Sequence, residues 1–265
     1  MVESALENPA DLPLYSVEAI ATSRVLVIAP HPDDECLGCG GAIALLQSLD
    51  CQVHILVISD GTMSHPHSHK YPAAALQSLR EQETRSAMAI LGVDIERITF
   101  LGLPDSAVPM PTNSGFSAAV LTCQHYLEAI APQTIFLPWR QDPHADHRAT
   151  WQIVKAALKL PYPRLIEYPI WDWDFAQRGN GQDLNLLRAW RLDIQAVKGL
   201  KQEAIAAYRS QVTNLINDDL QGFQLSAEML THFAHPWELY LEESYLEESY
   251  LEESSTKNLT PEKQP

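Results

Sequence analysis

Short apolar, β-branched runs alternate along this chain with longer segments in which apolar and charged positions recur at helical spacing. The runs predict five strands, at residues 24–29, 52–59, 95–101, 134–138 and 164–168. The intervening segments predict five helices, at residues 41–49, 74–91, 117–131, 147–158 and 195–209. Strands that alternate with helices are typical of a layered α/β/α fold with a mainly parallel sheet.

The C-terminal segment has a different pattern. The sequence Tyr-Leu-Glu-Glu-Ser occurs three times in succession from Tyr240, and residues 241–265 contain seven Glu and two Lys. A period of five matches neither helical nor strand periodicity, and such a composition offers little apolar area to bury. We therefore predict one domain over residues 1–240 and an acidic low-complexity tail over residues 241–265 with no catalytic role.

The composition indicates a single globular domain and excludes several other classes of protein. The chain has 265 residues, of which 46% are hydrophobic, and a formal net charge of −16. This size and apolar content fit one domain with a large core, and the negative charge argues against a nucleic-acid partner. The four cysteines are too few for a disulfide scaffold. We see no secretory leader and no apolar run of the ~20 residues that span a bilayer, so we expect a cytoplasmic protein without a membrane anchor.

The first predicted strand leads directly into a cluster of polar side chains, His31-Pro32-Asp33-Asp34-Glu35. A phosphate-binding turn at this position would carry a glycine loop, whereas three carboxylates repel phosphate. One imidazole beside several carboxylates instead favours a divalent cation. The alternative is a helix-capping turn, for which one acidic residue would be enough.

A second cluster follows the strand predicted at residues 134–138. It contains His144, Asp146 and His147, again directly before a predicted helix. The carboxyl ends of parallel strands open on one edge of the sheet, so the two clusters can meet although they are far apart in sequence. Together they predict a metal site; the alternative for His144 and Asp146 is that they only shape the loop.

The two motifs His31-Pro32-Asp33-Asp34-Glu35 and His144-Ala145-Asp146-His147 resemble those of the LmbE/PIG-L family of zinc-dependent N-deacetylases. The resemblance covers roughly residues 24–212 and implies a Rossmann-like fold. It implies one zinc ion per chain, held by His31, Asp34 and His147. Asp33 would be the general base, and a protonated His144, oriented by Asp146, would assist as electrophile or acid. Zinc lowers the pKa of a bound water from ~15.7 towards ~7, which suits attack on an amide. Fe²⁺ or another divalent metal could replace zinc.

The resemblance also implies a substrate, an N-acylated amino sugar of the N-acetylglucosamine type, contacted by Arg80 and Asp105. Arg80 could instead be a solvated helix charge, and Asp105 a turn residue. We expect Glu35 to support the site rather than to bind metal. Tyr208 stands where related proteins often carry a histidine, which leaves that position without an assigned role.

Other functions remain open at this point. The chain could be a non-catalytic metal- or sugar-binding protein, or a metal-dependent hydrolase of another amide or an ester. The sequence does not decide the oligomeric state, and a homo-oligomer is possible.

Three further groups of residues have less specific interpretations. His65, His67 and His69 follow another strand end and predict a surface or lid loop, with substrate contact or a second metal as alternatives. The Cys36/Cys39 pair predicts ordinary packing rather than a metal or redox site. Three tryptophans near the motifs are expected to pack in the interior, with a sugar platform as the alternative; they are Trp139, Trp171 and Trp173.

Overall fold

The computed structural model describes residues 8–171 and 187–243. Its strands are β1 (Leu14–Tyr15), β2 (Arg24–Ala29), β3 (Gln52–Ser59), β4 (Ile98–Leu103), β5 (Thr134–Pro138), β6 (Arg164–Tyr168), β7 (Leu187–Asp193) and β8 (Trp237–Glu243). They form one sheet in the order β1-β7-β8-β6-β5-β2-β3-β4. β8 runs antiparallel to β6 and β7, and the other neighbouring strands are parallel.

Helices cover both faces of this sheet. They are α1 (Asp34–Ser48), α2 (Ala73–Ile90), α3 (Phe116–Ile130), α4 (Ala145–Ala157), α5 (Lys198–Ala206), α6 (Arg209–Val212) and α7 (Ala227–His232). Alternate residues of a strand point to opposite faces, so β2 supplies both apolar cores. Val25 and Val27 pack with α1, α2 and α5, while Leu26 and Ile28 pack with α3 and α4. The predicted α/β/α fold with a mainly parallel sheet is confirmed.

Four of the predicted strands have the predicted bounds, whereas the starts of one strand and one helix differ clearly. β4 begins at Ile98 rather than residue 95, because Ile95–Arg97 forms a 3-10 turn. α1 begins at Asp34, seven residues before the predicted start at residue 41. Glycines weaken a helix, but here they permit close packing. A Cβ on Gly38 would lie 2.3 Å from the Tyr168 ring, and a Cβ on Gly41 would lie 2.5 Å from Ile194.

The helix predicted at residues 195–209 is also different, since it is divided into α5 and α6 by a break at Ala207 and Tyr208. This break turns the chain, so that Tyr208 is buried against the start of α1.

The C-terminal boundary of the domain lies further along the chain than predicted. β8 extends to Glu243, so Leu241, Glu242 and Glu243 belong to the sheet. Leu241 is fully buried, and Glu242 pairs with Arg164 at 2.6 Å. The boundary predicted at residue 240 therefore falls within a strand. The rest of the predicted tail, residues 244–265, lies outside the described residues.

No helix in the described part of the chain is both long and apolar enough to cross a membrane.

Candidate active site

The two predicted motifs meet at one edge of the sheet. β2 and β5 are parallel neighbours. His31 lies in the turn after β2, Asp34 is the first residue of α1, and His147 is in the first turn of α4. Asp34 Oδ2 lies 3.2 Å from His31 Nδ1 and 3.2 Å from His147 Nε2. All three side chains are buried. The structure thus brings together the three side chains for which the resemblance implied a metal.

The surroundings of these histidines favour a positive charge. Burial alone would lower the pKa of His31, but contacts with Asp105, Asp146 and Asp34 hold it well above its usual value. Burial likewise opposes charge on His147, but Asp34 and Asp142 raise the pKa of His147 to about 9. Carboxylates that stabilise a bound proton also stabilise a divalent cation, which competes for the same nitrogens.

His147 provides a direct test of whether a metal would fit. Asp34 and Asp142 lie within 3.4 Å of its two ring nitrogens. These carboxylates contact the ring as charged partners, and both nitrogens lack a hydrogen-bond partner among the described residues. Buried nitrogens without partners are costly unless something else binds them. The surroundings of His147 therefore fit a cation. Among the described residues, two clusters of potential ligand atoms share His31, and neither includes Asp34: His31 with His144 and His147, and His31 with Asp105 and Asp146.

Asp142 is a functional candidate that the sequence analysis did not assign. It is fully buried, and its Oδ2 lies 3.4 Å from His147 Nδ1. The same carboxylate accepts hydrogen bonds from the backbone N–H groups of His144, Ile170 and Trp171. A carboxylate on the far nitrogen of a metal-binding histidine fixes the orientation of the ring. The sequence signal was a second acid beside the second motif, two residues before His144.

Asp33 has a backbone conformation that side chains rarely adopt, with φ of +134°. Its N–H donates to Glu35 Oε2 at 3.1 Å, and its carboxylate accepts from Arg80 Nη2 at 3.1 Å. Burial raises the pKa of Asp33 to about 8, against the opposing effect of Arg80. A strained residue held from both sides and carrying a perturbed carboxyl group is a candidate for proton transfer.

Glu35 stabilises the turn at Asp33 through hydrogen bonds to both of its carboxylate oxygens. Tyr208 donates a hydrogen bond to Glu35 Oε1, while Oε2 accepts from the N–H of Asp33. Burial raises the pKa of Glu35 to about 7. Tyr208, for which the sequence suggested no role, is thus linked to Asp33 through one side chain.

Arg80, for which the resemblance implied a substrate contact, also has several hydrogen bonds within the protein. It is buried, and its guanidinium donates to the carbonyls of Pro32 at 2.6 Å and Gly61 at 3.0 Å as well as to Asp33. The structure therefore gives its Nη atoms partners within the protein. Arg80 orients Asp33, although it also lines the pocket.

Asp105 and Asp146 both approach His31. Asp105 Oδ1 lies 3.4 Å and Asp146 Oδ2 lies 3.2 Å from His31 Nε2. Asp105 also accepts the N–H of Met63 at 2.8 Å, and Asp146 accepts the N–H of Ser106 at 2.7 Å. Burial opposes ionisation of Asp105, but its hydrogen bond with His31 lowers the pKa to about 2. Asp105 also lines the pocket, and the sugar contact that the resemblance implied stays a prediction.

His144 lies over the other two rings, with centroid distances of 4.7 Å to His31 and 5.1 Å to His147. Its Nδ1 accepts the backbone N–H of Asp146 at 3.2 Å, so the main chain of Asp146 orients the ring while its carboxylate faces His31. Burial, together with His31 and His147, lowers the pKa of His144. These contacts assign a neutral ring with the proton on Nε2, whereas the resemblance implied a protonated one.

A pocket of about 280 Å³ opens onto these residues. Trp171 forms part of its wall and stacks on His144, with ring centroids 6.2 Å apart, and Phe223 packs edge-on against Trp171. Trp171 thus lines the pocket, while Trp139 is buried in a separate apolar cluster. Trp173 lies outside the described residues. Cys36 and Cys39 lie within the core, where packing was predicted.

The segment directly before the histidine-rich loop lines the pocket, whereas His65, His67 and His69 are not among its lining residues. Ser64 lines the pocket, and its carbonyl accepts the N–H of Phe223 at 2.6 Å. Asp218 accepts from Ser68 Oγ at 2.8 Å and from the N–H groups of His69 and Lys70 at 2.9 Å. Two loops are thus joined beside the pocket, and the lid role of the histidine-rich loop stays a prediction.

Comparison with known proteins gives three kinds of match. Residues 26–158 match the PIG-L family, described as GlcNAc-PI de-N-acetylase. A relative from Bacillus subtilis (strain 168), named probable N-acetyl-alpha-D-glucosaminyl L-malate deacetylase 2, is 29% identical over 203 residues. The match covers 74% of this chain and 86% of the relative.

Two solved structures share the fold. The conserved protein TT1542 from Thermus thermophilus is 28% identical with a TM-score of 0.52, covering 71% of this chain and 79% of that one. N,N'-diacetylchitobiose deacetylase from Pyrococcus horikoshii is 23% identical with a TM-score of 0.55, covering 81% of this chain and 77% of that one.

Proposed function

The chain belongs to the PIG-L (LmbE-like) family of N-deacetylases, hydrolases of the N-acetyl amide bond, and we propose that it removes an N-acetyl group from an N-acetylglucosamine-type substrate with one zinc ion. The Bacillus subtilis relative is named for an N-acetylglucosaminyl malate, which supports a small glycoconjugate as substrate. Fe²⁺ could serve in place of zinc, because a site of two histidines and a carboxylate accepts both.

The observation that carries this proposal is the position of Asp33. It adjoins the His31, Asp34 and His147 cluster and lines the pocket together with His31 and Asp34, and burial raises its pKa to about 8. A general base works best when its pKa lies near the working pH. A protein that only bound metal or sugar would have no use for such a carboxylate, held in a strained conformation.

His31, Asp34 and His147 would hold the metal, and Asp142 would fix the ring of His147. When bound, the ion supplies Lewis acidity that activates water and polarises the acetyl carbonyl. Three protein ligands leave a position open for this chemistry.

The residues of the chain then move the protons. Asp33 accepts the proton of the attacking water, because its carboxylate is fixed by Arg80 at the edge of the pocket. His144 donates its Nε2 proton as a hydrogen bond to the acetyl oxygen as negative charge develops there. Asp33 returns its proton to the leaving amine, which restores both groups to their starting state.

The test is release of primary amine from N-acetylglucosamine and methyl N-acetylglucosaminide by the purified protein, with metal content measured on the same sample. We expect release that stops on chelation and returns with about one zinc per chain. Metal-loaded protein that releases amine from neither compound would contradict the proposed function.

A further inference from the structure

Gln211 is a buried residue of the pocket wall that has no role in the proposed proton transfers. It belongs to α6, its side chain is fully buried, and it lines the same pocket as His31 and Asp33. Its Oε1 lacks a hydrogen-bond partner within the described part of the chain. A buried amide oxygen without a partner is rare in native proteins, and a ligand is one of the things that can satisfy it.

The orientation of the Gln211 amide follows from its neighbours. Ser210 Oγ donates its single proton to Glu83 Oε2 at 2.6 Å, and Ser210 N donates to Glu83 Oε1 at 2.7 Å. The Ser210 oxygen can therefore only accept from Gln211, and it does so from Nε2 at 2.9 Å. A flipped amide would place two acceptors against each other. Oε1 is thus left on the side away from Ser210.

Two other polar atoms of this pocket support the same interpretation. Arg80 Nε and Trp171 Nε1 are buried and, among the described residues, lack hydrogen-bond partners. Both residues line the pocket with Gln211. The three residues of one pocket wall thus contain two donors and one acceptor that are buried without a described partner. Neighbouring hydroxyls of a sugar ring can both donate and accept, so they match this set, whereas an apolar ligand would leave all three atoms unsatisfied.

We propose that Gln211 Oε1 accepts a hydrogen bond from one ring hydroxyl of the amino sugar and so determines which N-acylated sugars are hydrolysed. This inference rests on the proposed function. The Glu83–Ser210 pair holds the amide, and the ring hydroxyl is its missing partner. A site built to bind a hydroxyl rejects an analogue that lacks it, because its own polar group then stays buried without a partner.

The experiment compares methyl N-acetylglucosaminide with its 3-deoxy, 4-deoxy and 6-deoxy analogues, on the zinc-loaded wild-type protein and on Gln211→Leu. We expect one analogue to show kcat/KM about 10- to 100-fold below the parent sugar on the wild-type protein. In Gln211→Leu the parent sugar should fall to the level of that analogue, and the analogue itself should change little. Gln82→Leu, on the exposed side of α2, is the matched control and should behave like the wild type.

Three outcomes would count against the inference or its premise. A wild-type protein that treats all three analogues like the parent would overturn it without any variant. A Gln211→Leu protein that loses the same factor on every sugar would show a structural effect only. If Gln211→Leu fails to fold, Gln211→Met repeats the comparison with a side chain of similar length. No hydrolysis of the parent sugar by metal-loaded wild type would instead overturn the proposed function itself.

Discussion

Asp142 Oδ2 lies 3.4 Å from His147 Nδ1, while Nε2 of the same ring lies 3.2 Å from Asp34. The ring is therefore held between a carboxylate on its far side and the candidate metal position on its near side. Such a carboxylate orients the ring and makes the ligand nitrogen more basic. Its loss should weaken metal binding even though Asp142 does not itself touch the ion.

We predict that Asp142→Asn lowers the affinity for zinc by about 10- to 100-fold. The asparagine keeps the size of the side chain but loses its charge. Titration against a competing chelator measures the change, with Asp94→Asn as an exposed control that should match the wild type. Unchanged zinc affinity in Asp142→Asn would show that His147 does not depend on this contact.

Asp33→Asn tests whether Asp33 is the general base or a metal ligand. We expect the variant to keep its zinc and to lose about 10²- to 10⁴-fold in kcat, since an amide cannot accept the proton of the attacking water. Metal analysis and amine release on the same sample provide both measurements. Loss of zinc in parallel with activity would instead make Asp33 a ligand.

Substitution of Arg80 tests whether this residue orients the base Asp33 or contacts the substrate. Its Nη atoms are engaged with Asp33, Pro32 and Gly61, so Arg80→Gln should lower kcat more than it raises KM. Steady-state kinetics on methyl N-acetylglucosaminide measures the two effects separately. Arg85→Gln, further along α2 and partly exposed, should leave both parameters near wild type. A rise in KM with kcat unchanged would restore the role in substrate binding that the sequence suggested.

The sequence predicted the central strands because they are buried on both faces and therefore consist of continuous apolar residues. β7 was missed because two arginines interrupt its apolar residues, and β8 because it overlaps the first copy of the low-complexity repeat. Both clusters of candidate ligands were predicted from their position after parallel strands. The contacts of Asp142, Arg80 and Tyr208 were not predictable, because they depend on how separate loops fold against the two motifs.

The C-terminal boundary gives a further prediction about stability. Deletion of residues 244–265 should leave the free energy of unfolding near that of the full chain, since the composition of this segment offers little apolar area to bury. Deletion of residues 241–265 also removes Leu241, which is fully buried, and the ion pair of Glu242 with Arg164. The loss of one buried leucine costs about 2–5 kcal/mol, so this deletion should destabilise the protein by at least that amount.

Denaturant unfolding of the two truncated proteins beside the full chain measures the difference, and Leu241→Ala in the full chain is the matched single substitution. It should reproduce most of the loss, because the side chain packs against Leu187 and Leu239 in the same apolar cluster. Equal stability of the two truncated proteins would mean that the last three residues of β8 contribute nothing to the sheet. A large loss on removing residues 244–265 alone would show that this segment packs on the domain.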